Sequence, residues 1–154
     1  MKQLKFRTFI IAVLLASAMG VSAEKVEAIV GDLKYEIDTE TKEASVIKGD
    51  YSGLYFVTIP EKIAVEGVDY AVTSIGDYAF YNLSKLTSVT LSNSVKSIGK
   101  GGFYYCNNLT AVSLGSSLTS IGENAFYHCN ISAISLPESL ESIGKDAFDS
   151  NSIV

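Results

Sequence analysis

Few residues of this chain have the chemistry of an active site. His128 is the only histidine among 154 residues, and it directly precedes Cys129. A catalytic nucleophile needs a base and an orienting group that converge on it, and a metal site needs several ligands. A lone histidine supplies neither set, and no pair of acidic residues recurs at a fixed spacing. We therefore predict no enzymatic activity, no bound metal and no cofactor.

Tyrosines are the residues whose type and spacing favour binding. Tyr81, Tyr104 and Tyr127 each follow a phenylalanine directly and recur at a constant interval. Residues in such a series align in a column, and exposed tyrosines are common anchors of binding sites. A column of half-buried rings is equally typical of a structural ladder. Both interpretations stay open at this point.

A second predicted surface consists of small polar residues that alternate with apolar ones. Ser88 and Thr90 flank Val89, and Ser113 and Ser135 occupy the corresponding positions further along the chain. Alternation places such residues on one face of a strand. A flat face of small side chains suits extended contact with a large partner better than a small-molecule pocket. The same residues also suit a sheet face that is simply exposed to water.

These residues are positioned by a repeat. The sequence Ser-Ile-Gly starts at Ser74, Ser97, Ser120 and Ser142, so the copies are 23, 23 and 22 residues apart. Each copy also places a phenylalanine at the same position: Phe80, Phe103, Phe126 and Phe148. Self-similarity at this period predicts a solenoid, in which each coil packs only on its neighbours. We expect each coil to have two short strands, a glycine in a tight turn or with positive φ, and a brief helical or 3₁₀ bend.

The repeat has a recognisable pattern. Ser-Ile-Gly-x-x-Ala-Phe, followed by Cys-Asn and a Leu-Thr-x-Val-x-Leu strand, resembles the BspA-like leucine-rich repeats of secreted bacterial surface proteins. The resemblance covers residues 72–154. With the spacing, it predicts a β-rich leucine-rich repeat solenoid with coils of 22–23 residues. It implies adhesion to host or matrix proteins, so the partner would be a protein or other macromolecule at a cell surface.

Two cysteines recur with the repeat. Cys106 and Cys129 each stand three residues after a column phenylalanine. In neighbouring coils they would lie about one strand spacing, ~4.8 Å, apart, which a disulfide can bridge. Free cysteine is also among the most buried residue types, and Leu83 and Asn151 fill the same position in other copies. A disulfide and two buried thiols are both compatible with the pattern.

The N-terminal residues differ from the repeat. Basic residues precede an apolar run, and small residues follow at Val21-Ser22-Ala23. This order predicts a signal peptide over residues 1–23, cleaved after Ala23, with Ala18 as the alternative site. The apolar run is about half the ~20 residues that a membrane span requires. We therefore expect a secreted or cell-surface chain that does not insert into the membrane once the signal is removed.

Residues 24–71 alternate apolar and polar side chains on both sides of the polar turn Asp38–Lys42. Period-two alternation of this kind predicts a β-hairpin. A solenoid needs a terminal unit that covers its first coil, so we predict that the hairpin is an N-terminal cap. The later part of the segment resembles a degenerate first repeat, which would make residues 72–154 the solenoid itself.

Charge argues against two classes of partner. Residues 24–154 contain 9 lysines, no arginine and 17 acidic residues, so their net charge is 9 − 17 = −8. Nucleic-acid binding and attraction to anionic membranes both need a basic patch. We predict neither nucleic-acid binding nor attraction to anionic membranes.

The chain stops at Val154, where a fourth strand is due. We expect the apolar residues of this last coil to promote self-association, or the chain to be a short version of a longer array.

Overall fold

The computed structural model describes residues 25–153, which form strands, turns and bends. The predicted signal peptide and its cleavage site after Ala23 lie outside these residues. The strands are β1 (Lys25–Val30), β2 (Leu33–Asp38), β3 (Glu43–Val46), β4 (Phe56–Ile59), β5 (Lys62–Val65), β6 (Val68–Ile75), β7 (Ser88–Leu91), β8 (Ser97–Ile98), β9 (Ala111–Ser113), β10 (Ser120–Ile121) and β11 (Ser142–Ile143). The described part contains no helix of the length and hydrophobicity that crossing a membrane requires.

The N-terminal strands form an antiparallel meander. β2 pairs with β1 on one side and with β3 on the other. The predicted turn at Asp38 is present, and its carboxylate accepts hydrogen bonds from the backbone N–H groups of Glu40 and Thr41, each 2.9 Å long. These bonds hold the pKa of Asp38 below its usual value, and the bond from Thr41 has the larger effect. β3 then pairs in parallel with β6, which connects the meander to the repeats.

The repeats build two parallel sheets, one along each side of the stack. In the first sheet, β6, β8, β10 and β11 follow each other and align their isoleucines one above the next. In the second, β4, β7 and β9 align in order. β4 and β6 thus form the first coil, and β5 joins them by pairing antiparallel with the start of β6.

A column of phenylalanines fills the space between the two sheets. The ring centroids of Phe80, Phe103, Phe126 and Phe148 are 5.0, 5.1 and 5.2 Å apart, with interplanar angles of 5°, 4° and 7°. The first three side chains are fully buried. Tyr51 continues the column on the N-terminal side, 5.1 Å from Phe80. Burial of each ring contributes about 1.5–3 kcal/mol, so the column is a main source of stability between coils.

The bends differ from the predicted helical or 3₁₀ turns, because the described residues contain no helix of either type. Tyr78, Asn124 and Asp146 have positive φ values of 53°, 55° and 55°, which interrupt a right-handed helix. The N–H groups of alternate residues in the bend point at the next coil and do not form helical hydrogen bonds. Those of Tyr78 and Phe80 bond to Lys100 O and Gly102 O at 2.9 and 2.8 Å. The prediction was wrong because hydrogen bonding between coils overrides local helix formation.

The repeat glycine opens a tight turn, one of its two predicted roles: the N–H three residues later bonds to its carbonyl, as from Ala125 to Gly122 O at 3.2 Å. Positive φ, the other predicted role, is absent at Gly76, Gly99, Gly122 and Gly144. They are required by close approach between coils, because a Cβ on Gly122 would lie 2.6 Å from the carbonyl carbon of Gly99. A Cβ on Gly144 would likewise lie 2.6 Å from the carbonyl carbon of Gly122. The glycine column therefore lets the backbones of successive coils touch.

The last coil departs from the predicted strand at Ile131–Leu136. This segment is not a strand, and Leu136 is 47% exposed. In the first repeat the strand closes with a bond from Ser92 N–H to Ile59 O, 3.2 Å long. Pro137 stands at the position of Ser92 and has no N–H to donate. The third copy is also one residue shorter than the two before it.

Candidate binding surfaces

The predicted tyrosine column is present along the bends. The Tyr81 and Tyr104 rings stack at 5.8 Å between centroids, and Tyr104 and Tyr127 at 5.1 Å, both with an interplanar angle of 13°. Tyr81 is exposed, whereas Tyr104 and Tyr127 are half-buried. Because each inner ring covers the faces of its neighbours, the column presents mainly ring edges and hydroxyl groups. This geometry matches a ladder that joins the coils, and a binding role remains a prediction.

Further aromatic residues surround this column. Tyr78 contacts Tyr81 and Tyr104 edge-on, at 6.1 and 6.4 Å between centroids. His128 stacks on Tyr105 at 4.7 Å, with 27° between the ring planes. Partial burial is the main cause that raises the pKa of Tyr104, and the neighbouring tyrosines raise it further. His128, which the sequence analysis judged insufficient for catalysis or metal binding, thus belongs to an aromatic cluster.

The two cysteines are free and buried, which corresponds to the buried-thiol alternative. The Sγ of Cys106 lies 3.0 Å from Phe80 O, and the Sγ of Cys129 lies 3.2 Å from Phe103 O. Burial raises the pKa of these thiols to about 11 and about 12. Cys129 therefore points into the core, while the adjacent His128 is exposed, and the two do not form a dyad. Within residues 25–153, no cluster of His, Cys, Asp and Glu has the arrangement of a metal site.

The small polar residues form the outer face of the second sheet. Ser88 pairs with Ala111, and Thr90 pairs with Ser113, so their side chains form two rows across β7 and β9. Thr90 and Ser113 are exposed, and Ser88 is half-buried. Ser135 is exposed and lies beside Ser113 in a shallow depression, although it belongs to no strand. We call these residues, with Phe56 and Thr58 of β4, the sheet face.

Phe56 is the residue of this surface that sequence reasoning missed. It pairs with Ser88 at the N-terminal edge of the sheet face and is 73% exposed. Tyr55 beside it is 53% exposed, and Lys85 Nζ lies 6.0 Å from its ring centroid. The signal was present in the sequence: Phe56-Val57-Thr58-Ile59 has the same alternation as Ser88–Leu91. An exposed aromatic pair beside a flat row of small side chains is a typical anchor for a protein partner.

Leu86, Leu91 and Leu109 are buried beside the second sheet. Stacked parallel strands, a phenylalanine column and such repeating buried leucines define a leucine-rich repeat protein. Residues 72–154 match the BspA type leucine rich repeat region, in six copies, and the chain belongs to this family. The resemblance seen in the sequence is thus confirmed.

Solved bacterial structures agree with this assignment. A leucine-rich repeat protein from Bacteroides capillosus is 33% identical, with a TM-score of 0.73, and the match covers 82% of this chain and 94% of that one. The leucine-rich repeat protein of T. pallidum is 28% identical, with a TM-score of 0.71 and coverages of 79% and 56%. The pneumococcal vaccine antigen PcpA is 27% identical, with a TM-score of 0.67 and coverages of 85% and 37%. The chain therefore spans about half of the T. pallidum protein and about a third of PcpA. No curated protein matches it significantly.

Proposed function

We propose that this chain is an exported, non-enzymatic binding protein of the adhesin type, which engages a macromolecule of a host, matrix or cell surface. The observation that carries the proposal is the sheet face, where Phe56 adjoins two rows of small, accessible side chains aligned across successive coils. A flat surface with an aromatic anchor suits a large partner. Its shallow depressions lack the enclosure of a typical small-molecule site.

Family and charge support the same proposal. One similar structure is that of a pneumococcal vaccine antigen. We propose an exported location for this chain, in line with the predicted signal peptide over residues 1–23. The net charge of −8 for residues 24–154 favours a protein or glycan partner over nucleic acid.

The test is binding of the purified protein to immobilised matrix proteins and to host cells. Ser113→Trp places a large ring in the middle of the sheet face, and we expect binding to weaken roughly tenfold or more because the partner can no longer lie flat. Asn107→Trp adds the same ring at an exposed bend position and should leave binding unchanged. Equal binding by both variants, or no binding of the unmodified protein to any surface, would refute the proposal.

A second candidate is a structural module that assembles through its last coil. Leu136, Ile143 and Ile153 are 47%, 47% and 41% exposed at that end. Exposed apolar side chains beside a strand edge favour association. Light scattering of the protein and of Ile143→Glu tests this role: a dimer or larger species that the substitution converts to a monomer supports assembly, and a monomer in both cases contradicts it.

A further inference from the structure

The outer edge of β4 has no strand partner among residues 25–153. On its inner edge, Tyr55 O accepts hydrogen bonds from Thr87 N–H and Ser88 N–H, and Ile59 O accepts one from Ser92 N–H. Successive residues of a strand point their backbone groups to opposite sides. The N–H and C=O groups of Phe56 and Thr58 therefore point away from β7. This row of unpaired donors and acceptors can template another strand.

An open groove of about 370 Å³ runs along this edge. One wall is β4 itself, and the other walls are the turn between β1 and β2 and the strand β5. The residues that line the groove are mostly apolar: Val30, Leu33, Leu54, Val57, Pro60 and Ile63. An extended segment paired with β4 would place every second side chain against these residues.

The charges at the groove favour a basic segment. Asp32 lines it, and Glu61 lies in the short connection between β4 and β5. Lys62 also lines the groove, where it pairs with Asp69 at 2.6 Å and lies in the field of Glu61, whereas Asp32 has no ion-pair partner among the described residues. The uncompensated charge at the groove is therefore negative. Lysine or arginine in the incoming segment would complement it.

We propose that β4 binds its partner by strand addition: an extended polypeptide segment with alternating aliphatic residues and flanking lysines or arginines pairs with Phe56–Ile59 and lies in the groove. Main-chain hydrogen bonds supply affinity in this mode, and the groove selects the side chains. The proposal rests on the binding function above and names the partner as a basic, β-forming polypeptide. A glycan does not fit this mode, because it has no backbone N–H groups to pair with β4.

The first test uses the synthetic peptide Lys-Val-Thr-Val-Lys-Val-Thr-Lys with the full-length protein, measured by fluorescence anisotropy. A form of this peptide N-methylated at its residues 2–8 has no backbone N–H donor on either edge, so it cannot pair fully with β4 in either direction, and we expect it to bind roughly tenfold more weakly than the parent peptide. The acidic analogue, with Glu for each Lys, should not bind. Equal binding of the methylated and parent peptides would mean simple charge attraction and would overturn the proposal, as would no binding at all.

The second test uses variants of the protein. Thr58→Pro removes one outward N–H, which an edge strand tolerates. Ala64→Trp fills the groove from an exposed position on β5. We expect both variants to lose most peptide binding and the control Asn107→Trp, at an exposed bend position outside the groove, to retain it, with far-UV circular dichroism confirming each fold. Surface binding that Ser113→Trp abolishes but Thr58→Pro and Ala64→Trp leave intact would overturn strand addition while the binding function stands.

Discussion

In three of the four coils, the residue three positions after the column phenylalanine contacts a backbone carbonyl inside the stack; the first coil has Leu83 there, which carries no donor. The thiols of Cys106 and Cys129 approach the phenylalanine carbonyl of the preceding coil. Asn151 does the same in the last coil, where its Nδ2 donates to Phe126 O at 2.7 Å. Its Oδ1 also accepts a bond from Ile131 N–H at 3.0 Å. A small donor is therefore favoured at this position because it satisfies a buried acceptor.

We expect both thiols to be unreactive in the folded protein. Burial raises their pKa to about 11 and about 12, so almost no thiolate exists at neutral pH. A thiol reagent at pH 7 should label neither cysteine in the native protein and both in urea. A protein that yields no free thiol in urea without a reductant would instead contain the disulfide.

The same thiols make stability dependent on alkaline pH. In the unfolded chain their pKa is near 9.0, so above that pH the unfolded chain releases protons that the folded protein retains. Rising pH therefore favours unfolding, and the thiol contribution is lost as pH rises from about 9 toward 11–12. Urea unfolding at pH 7, 9 and 10 should show a steeper fall for the unmodified protein than for the Cys106→Ala/Cys129→Ala variant. Parallel curves would contradict this account.

The glycine column gives a sharper test of how coils touch. Gly122→Ala would bring its Cβ within 2.6 Å of backbone in the preceding coil, so we expect a loss of about 1–3 kcal/mol in the free energy of unfolding. Gly53→Ala is the matched control, because nothing lies within 4 Å of its Cβ position and its φ is not positive. It should stay within about 0.5 kcal/mol of the unmodified protein. Similar urea midpoints for the two variants would show that the coils do not approach so closely.

At the scale of elements, two aromatic columns run in parallel and differ in burial. Phe103 is fully buried between two other rings, whereas Tyr104 is half-buried at the surface. We expect Phe103→Ala to cost about 3–5 kcal/mol. Tyr104→Ala should cost about 1–2 kcal/mol, since it loses two stacking contacts but little core volume. Thermal unfolding measures both.

The tyrosine variant also separates the two interpretations of that column. If the ladder is structural, Tyr104→Ala lowers stability and leaves binding to matrix or cells unchanged at a temperature where it is folded. Lost binding with unchanged stability would assign the binding site to the tyrosines and not to the sheet face.

The positions of the elements could be predicted where repetition constrains them. The strands at Ser97–Ile98, Ser120–Ile121 and Ser142–Ile143 follow directly from the spacing of Ser-Ile-Gly. The bends could not, because their positive φ values at residues such as Tyr78 and Asn124 arise from hydrogen bonds between coils that no single repeat contains. Phe56 was missed for a related reason, since its repeat is degenerate and its exposure depends on which strand β4 joins.

At the scale of the whole molecule, the arrangement is asymmetric along the stack. An antiparallel meander lies against the first coil, and the last coil leaves Ile143 exposed. The sheet face runs between these ends, on the side opposite the Ser-Ile-Gly sheet. The tyrosine ladder lies on the bends, so the two predicted surfaces are separate, and a partner can be assigned to one of them by its footprint.

The most direct test of the central claim is hydrogen–deuterium exchange of the protein, free and bound to the matrix or cell-surface component that it captures. Binding at the sheet face predicts slower exchange at residues 55–59 and 88–91, with the bends at residues 78–82 and 101–105 unchanged. Protection confined to the bends would contradict the account and move the binding site to the tyrosines.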